Sequence, residues 1–232
     1  MKICLAQIAS VKGDIAANIA NHKKLINQAV KESADLVIFP ELSLTGYEPD
    51  LAIDLAIHLN DNRLDCFQEI SNTENIIIGV GAPLKAEQGI YISLILFQPQ
   101  QARNSYSKQY LHEDEEPFFV CGPQASGVLN TEPPIALAIC YEISIPAHAE
   151  GASQHGASIY ISSVAKTPSG VKKAHQRVSE IASEHGMTVF MSNCVGPCDG
   201  DIGGGQSGIW NEHGELVDVL GDQDEGFLIY PN

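Results

Sequence analysis

Residues 2–39 read KICLAQIASVKGDIAANIANHKKLINQAVKESADLVIF, and this stretch decides the fold class. KICLAQI (2–8) and DLVIF (35–39) have the length and apolar character of strands, the second an unbroken run suited to a sheet covered on both faces. Between them Ile15, Ile19, Leu25, Ile26, Ala29 and Val30 recur at helical spacing. Asp14 stands before them as an N-cap, and Lys23, Lys24 and Lys31 fall among the outward positions. Strand, helix, strand is a βαβ unit, the mark of an α/β fold with parallel pairing.

Outward from this unit, further strands are expected at 75–80, 90–97, 101–107, 134–140 (PIALAIC), 158–163 and 187–192. A second helix runs from Gly170 to His185 between the last two, capped by Ser169 and ended by Gly186, with Val171, Ala174, Val178, Ile181 and Ala182 on one stripe. The tail, 204–230, predicts strands near SGIWN, ELVDV and GFLIY joined as an antiparallel meander. No linker tract or charge block divides the chain, so residues 1–232 are expected to form a single domain. Two layer arrangements fit: one open sheet flanked by helices, or two sheets face to face with helices outside.

Composition narrows the function classes. Asp and Glu outnumber Lys and Arg by 29 to 13, for a formal charge of −16, which opposes nucleic acid binding. The N-terminal stretch is broken by Gln7 and lacks a signal or anchor pattern, and no window suits a membrane span, so a cytoplasmic protein is expected. Six cysteines (Cys4, Cys66, Cys121, Cys140, Cys194, Cys198) are too sparse for a disulfide framework and should be thiols.

Three residues stand where chemistry could sit. Glu41, in VIFPELSLTGY, follows an apolar strand that Pro40 interrupts; strand carboxyl ends are where ligands bind in open α/β sheets, and a carboxylate there suits a general base or, more plainly, a cap. Cys140 ends PIALAIC, where a buried hydrophobe is the common outcome, but the abrupt turn into Glu142, Ser144 and Pro146 gives the exit a nucleophile needs. Lys108, in NSYSKQYLHEDEEPFF, is either a surface cation beside an acidic loop or a fixed ammonium able to hold an oxyanion in a dry pocket.

Glu41, Lys108 and Cys140 follow one another at intervals of 67 and 32 residues, each beside an apolar strand. With KICLAQI, FPELSLTGY, SKQYL, EEPFFVCG, ICYEI and the late GGGQSGIWNEHGELV, this order resembles the nitrilase superfamily of carbon–nitrogen hydrolases over nearly the whole chain. The resemblance implies a four-layer αββα sandwich of two mixed sheets and a Glu–Lys–Cys triad. In it Glu41 is the general base, Lys108 the cation at the tetrahedral intermediate and Cys140 the nucleophile. It further implies that the Tyr141 N–H completes the oxyanion hole, that Glu115 orients Lys108 or the substrate, and that Tyr47 and Ser163 line the pocket. The implied reaction is hydrolysis of a small amide, nitrile or carbamoyl compound through a cysteine thioester. No metal or organic cofactor is needed, and a homodimer or larger assembly is expected.

The loop HEDEEPFF departs from the family pattern: Pro117 and the extra carboxylates Glu113, Asp114 and Glu116 stand near Lys108, leaving substrate charge open. The chain is short for the superfamily, which points to a small or open pocket. The segment LSLTGYEPDLA is similar to the ammonia-releasing domains of some synthetases; a stand-alone small-amide hydrolase is the expectation. Rival readings are a Cys–His hydrolase using His112 or His148, a catalytically inactive binding or oligomerisation module, and a metal site from Cys194, Cys198 and His175 or His185, which lacks zinc spacing. Gly200 and Gly203 to Gly205 precede a strand, not a helix, and read as a flexible loop near the pocket.

Overall fold

The Asp14 carboxylate accepts the Ala17 N–H and starts helix α1, Ile15–Lys31, between strands β1, Ile3–Gln7, and β2, Leu36–Ile38. The computed structural model describes residues 1–231. Helices α2, Ala52–Leu55, and α3, Asp65–Glu74, follow, then strands β3, Ile77–Ala86, β4, Gly89–Phe97, and β5, Asn104–Ser107. The second half runs β6, Val128–Leu129; β7, Ile135–Ile139; α4, Pro146–Gln154; β8, Ile159–Ser163; α5, Pro168–His185; and β9, Thr188–Ser192. Strands β10, Val195–Cys198, β11, Asp201–Gly204, β12, Gly208–Trp210, β13, Leu216–Val219, and β14, Gly226–Tyr230, complete it.

Two six-stranded mixed sheets result, in the orders β14-β1-β2-β3-β4-β5 and β13-β12-β9-β8-β7-β6. Each has three parallel strands at its centre, β1, β2 and β3 in one and β7, β8 and β9 in the other. Strand alternation sorts the first sheet's side chains into two layers. Cys4, Ala6, Val37, Phe39, Ile78 and Val80 pack with Ile26 of α1 and Phe67 of α3. Ile3, Leu5, Leu36, Ile38 and Leu94 turn the other way, into a core shared with Leu137, Ile161 and Phe190 of the second sheet and with Val178 and Ile181 of α5. This is the two-sheet solution, an αββα sandwich.

Hydroxyls stitch the sheets together: Ser163 Oγ donates to Phe39 O at 2.8 Å, and Ser192 Oγ donates to Ala6 O at 2.6 Å. Both links lie at the carboxyl ends of parallel strands, where the functional loops leave. No helix among the described residues is long and apolar enough to cross a membrane.

Three expectations change, and one helix face gains residues that periodicity did not assign. Strand β14 pairs with β1 in the first sheet, not with β13, so the tail is split between sheets and is no meander. The residue before α5 is Thr167, with Pro168 opening the helix, in place of Ser169. Asn18 and His22 join the buried face of α1: Asn18 Nδ2 donates to Val11 O and Leu44 O, and His22 bonds Asn18 O and Ser43. The glycine-rich stretch is the β10–β11 hairpin rather than a flexible loop. A Cβ on Gly204 would stand 2.8 Å from Pro168 N and 2.7 Å from Val171 Cγ2, so only glycine lets this hairpin press against the start of α5.

Candidate active site

Glu41 leaves the end of β2 in a tight turn. The Ser43 N–H donates to Pro40 O and the Leu44 N–H to Gly81 O, while Leu42 takes a φ of 52°. A Cβ on Gly81 would lie 2.3 Å from Pro40 O, so β3 can approach the turn only where it lacks a side chain. Lys108 follows β5, its N–H donating to Ile92 O and its carbonyl accepting from the Gly122 N–H. Cys140 opens a 3-10 turn, Cys140–Ser144, at the end of β7 and holds a φ of 45°, a left-handed conformation that costs a non-glycine residue about 1–3 kcal/mol and recurs at functional turns.

These residues meet. Lys108, fully buried, donates to Glu41 Oε1 at 2.8 Å and to Glu115 Oε1 at 2.6 Å. Tyr47 OH also donates to Glu115 Oε1, and the His112 N–H donates to Glu115 Oε2, so both oxygens of Glu115 are held. Glu41 Oε2, in contrast, is buried without any hydrogen-bond partner. A buried polar atom left open is costly and marks a place where a reacting group belongs. Two of the three ammonium protons of Lys108 are committed to the glutamates, and one remains.

The charges act on one another. Burial pushes the Glu41 carboxyl up and Lys108 pulls it back, with the net direction upward; Cys140 is a further group that acts on it. Burial would lower the Lys108 ammonium, but Glu41, Cys140 and Glu115 outweigh that and raise it, fixing its charge. The Cys140 thiol is pushed up to about 11, by burial first and by Glu41 next, against Lys166 and Lys108. A thiol so high stays protonated at neutral pH and needs a base to lose its proton.

Tyr47, Glu115, Cys140 and Tyr141 share the wall of a cavity of about 300 Å³, with Glu41 and Lys108 buried behind it. Asp114, Asp199 and Asp201 stand at the same cavity. Of the sequence-predicted site residues only Ser163 lies apart: it is fully buried, absent from this wall, and its hydroxyl is committed to Phe39 O. The ring of Tyr141 packs edge-on against His112, centroids 5.1 Å apart.

Sequence reasoning passed over Glu142, Lys166 and Asn193. Glu142 is buried: Oε1 accepts the Gln109 N–H at 2.6 Å, and Oε2 accepts the Ile139 N–H at 2.7 Å and Tyr106 OH at 2.8 Å. Its only signal was its place two residues after Cys140. His148, considered as a base for Cys140, bonds instead to Tyr106 OH and Tyr160 OH, each at 2.8 Å. Among the described residues no group of three His, Cys, Asp or Glu could hold a metal ion; His175 bonds Gln206 O.

A family model described as carbon–nitrogen hydrolase matches residues 2–231. A glutamine-dependent NAD(+) synthetase of Acinetobacter baylyi is 29% identical over 225 residues, 93% of this chain but only 41% of the synthetase. An (R)-stereoselective amidase of a Pseudomonas species is 27% identical, covering 69% of this chain and 59% of that protein. The chain thus spans well under two thirds of the length of these curated relatives. Among solved structures, an amidase from a Nesterenkonia species superposes with a TM-score of 0.89 at 24% identity, over 99% of this chain and 89% of the other. A cysteine-to-alanine mutant of the amidase from Nesterenkonia sp. AN1 in complex with butyramide also gives 0.89, at 23% identity and the same coverage.

Proposed function

The chain belongs to the carbon–nitrogen hydrolase family, and from that premise we propose that it hydrolyses the carbon–nitrogen bond of a small amide through a thioester on Cys140. The observation that carries the reading is the open Glu41 Oε2, buried beside a lysine that Glu41 Oε1 already binds and acting on the Cys140 thiol. Burial raises both carboxyl and thiol, so the base is strengthened where the acid it must deprotonate is weakest.

In this mechanism Glu41 takes the thiol proton and the sulfur attacks the amide carbonyl. The remaining Lys108 N–H and the Tyr141 backbone N–H hold the oxygen that becomes negative, an arrangement worth several kcal/mol where water is excluded. Glu41 returns its proton to the departing ammonia or amine, then activates a water that cleaves the thioester. Glu115 keeps Lys108 aimed, and Tyr47 keeps Glu115 aimed. No step calls on a metal or organic cofactor. A cavity of about 300 Å³ lies at the small end of ligand pockets and suits a short-chain amide; nitriles and carbamoyl compounds remain within the same chemistry.

The reading includes a cytoplasmic location, where reducing conditions keep a nucleophilic thiol free, and a homodimer or larger assembly, which light scattering measures. Its test is ammonia release from a panel of short aliphatic amides, with mass spectrometry of the intact protein to catch the acyl-enzyme. Wild type should turn over at least one of them and Glu41→Gln should fold yet form no acyl-enzyme. Wild-type turnover in that variant would overturn the assignment. A protein inert to every amide, with Cys140 no more reactive than Cys4, would favour a binding module on the same fold.

A further inference from the structure

Behind the Cys140 sulfur the charges do not balance without a residue outside the triad. Lys108 is bound by two glutamates, Glu41 and Glu115, so this buried group carries one net negative charge before the thiol ionises. Forming the thiolate moves the Glu41 charge to sulfur but leaves this excess negative charge in a medium of low dielectric, where it is costly. At the mouth the lining charges Asp114, Asp199 and Asp201 have the same sign, and His112 is turned to Asp114. The cation that answers them is Lys166, a half-buried residue between β8 and α5.

Its backbone is clamped on both sides. The Lys166 N–H donates to Asn193 Oδ1 at 2.7 Å, and the Lys166 carbonyl accepts from Asn193 Nδ2 and from the Gly204 N–H. The stem passes Gly170 in the first turn of α5, Cδ lying 3.6 Å from where a Cβ would be. The residue lines both the 300 Å³ cavity of Cys140 and a neighbouring groove of about 460 Å³. Its ammonium pairs with no carboxylate among the described residues. Cys140 is the foremost group acting on its ammonium, and Lys166 favours the Cys140 thiolate more than Lys108 does.

We propose that Lys166 is a second catalytic cation, holding the Cys140 thiolate that forms when Glu41 takes the thiol proton. The inference rests on the reading of Cys140 as nucleophile. In the step, the S–H bond breaks, its electron pair stays on sulfur, and the proton forms an O–H bond at Glu41 Oε2. Lys166 remains an ammonium throughout. With Lys166 counted, the buried group is neutral before and after the transfer, because the charge lost by Glu41 appears on the sulfur. Lys108 is thereby left free for the substrate oxygen.

The test is the pH profile of Cys140 alkylation by iodoacetamide, an uncharged probe, resolved by peptide mass spectrometry in wild type, Lys166→Met, Lys166→Gln and Lys166→Arg. Each unit added to the thiol pKa lowers the thiolate fraction about tenfold. Lys166→Met should shift the profile up by about one pH unit or more and slow labelling at pH 7 about tenfold, with melting unchanged; Lys166→Arg should stay near wild type. Lys166→Gln, which keeps length and polarity, gives the same reading if the methionine variant fails to fold. A selectively reactive Cys140 whose profile ignores both neutral variants overturns the proposal alone. A wild-type Cys140 as inert as Cys4 overturns it together with the hydrolase reading.

Discussion

The Glu142 carboxylate accepts the backbone N–H of Gln109 at 2.6 Å, tying the turn that presents Cys140 to the residue that follows Lys108. Its other oxygen accepts the Ile139 N–H, one residue before Cys140. One side chain thus fixes the distance between the loops that carry Lys108 and Cys140, which the proposed mechanism brings together at a carbonyl carbon. Glutamine cannot copy it, since an amide has one acceptor oxygen and its NH2 would face a backbone N–H. Glu142→Gln is expected to lower kcat about 10- to 100-fold with KM little changed, because misplacement by about 1 Å costs that much. Steady-state kinetics beside thermal melting checks this; a changed KM with unchanged kcat would assign Glu142 to substrate binding.

Buried histidines and a buried carboxyl set a pH dependence of stability, His148 and Glu142 in this cluster and His22 on α1 beside Asn18 and Ser43. Burial lowers His148 from 6.5 to about 4, and His22 likewise to about 4. Between those limits the unfolded chain binds protons that the native histidines refuse, so stability is lost as pH falls from 6.5 towards 4. Glu142 works in the opposite sense: burial raises its carboxyl from 4.5 to about 7, so the native state keeps a proton the unfolded state releases, and stability falls as pH climbs through that window. Melting temperatures from pH 4 to 7 should therefore show the two histidines opposing Glu142, with Glu41 raised in the same direction as Glu142. His148→Gln is expected to flatten the acid side of the curve, and an unchanged slope there would show that His148 titrates normally in the native state.

Much of this was legible because Glu41 and Cys140 follow apolar strands, whose ends are readable from one window of sequence, whereas Lys108 follows the polar β5, NSYS, and was placed by the family pattern. Glu41, Lys108 and Cys140 also carry their own chemistry, and the family pattern fixed which loops converge. Glu142 and Lys166 were passed over for the opposite reason: what commits them is a partner far along the chain, Gln109 for the first and Asn193 for the second. The split tail has the same cause, since GFLIY reads as a strand wherever it pairs, and only the free edge of β1 makes that edge its place. The β10–β11 hairpin was hidden by glycines whose use is close approach to α5 and not flexibility.

Ser163 separates a structural role from a binding one. Its buried hydroxyl spans the two sheets to Phe39 O, so Ser163→Ala leaves that carbonyl without this donor. A loss of about 1–3 kcal/mol is expected, lowering Tm by several degrees in a chain of this size. Because Ser163 lines no part of the Cys140 cavity, KM for a turned-over amide should be unchanged at temperatures where the variant is folded. A several-fold rise in KM without loss of Tm would restore the pocket-lining role that family resemblance suggested.

Gly81 offers the sharpest dissociation of activity from composition, since one methyl group is the whole perturbation. A Cβ there would meet Pro40 O at 2.3 Å and Leu42 N at 2.5 Å, both backbone atoms that cannot rotate away. The turn must move, and Glu41 moves with it. Glu41 is bound on one side by Lys108 and open on the other, so a displaced carboxylate loses its alignment with the Cys140 thiol before the sheet loses its core. Gly81→Ala is therefore expected to cost about 1–3 kcal/mol of stability, as overpacking commonly does. The loss of acyl-enzyme formation should be about 100-fold or more, the cost of misplacing Glu41 as the base of the proposed mechanism. Intact-protein mass spectrometry after mixing with a turned-over amide, on samples shown folded by melting, reads both; an alanine variant that acylates at the wild-type rate would mean that the turn yields without carrying Glu41.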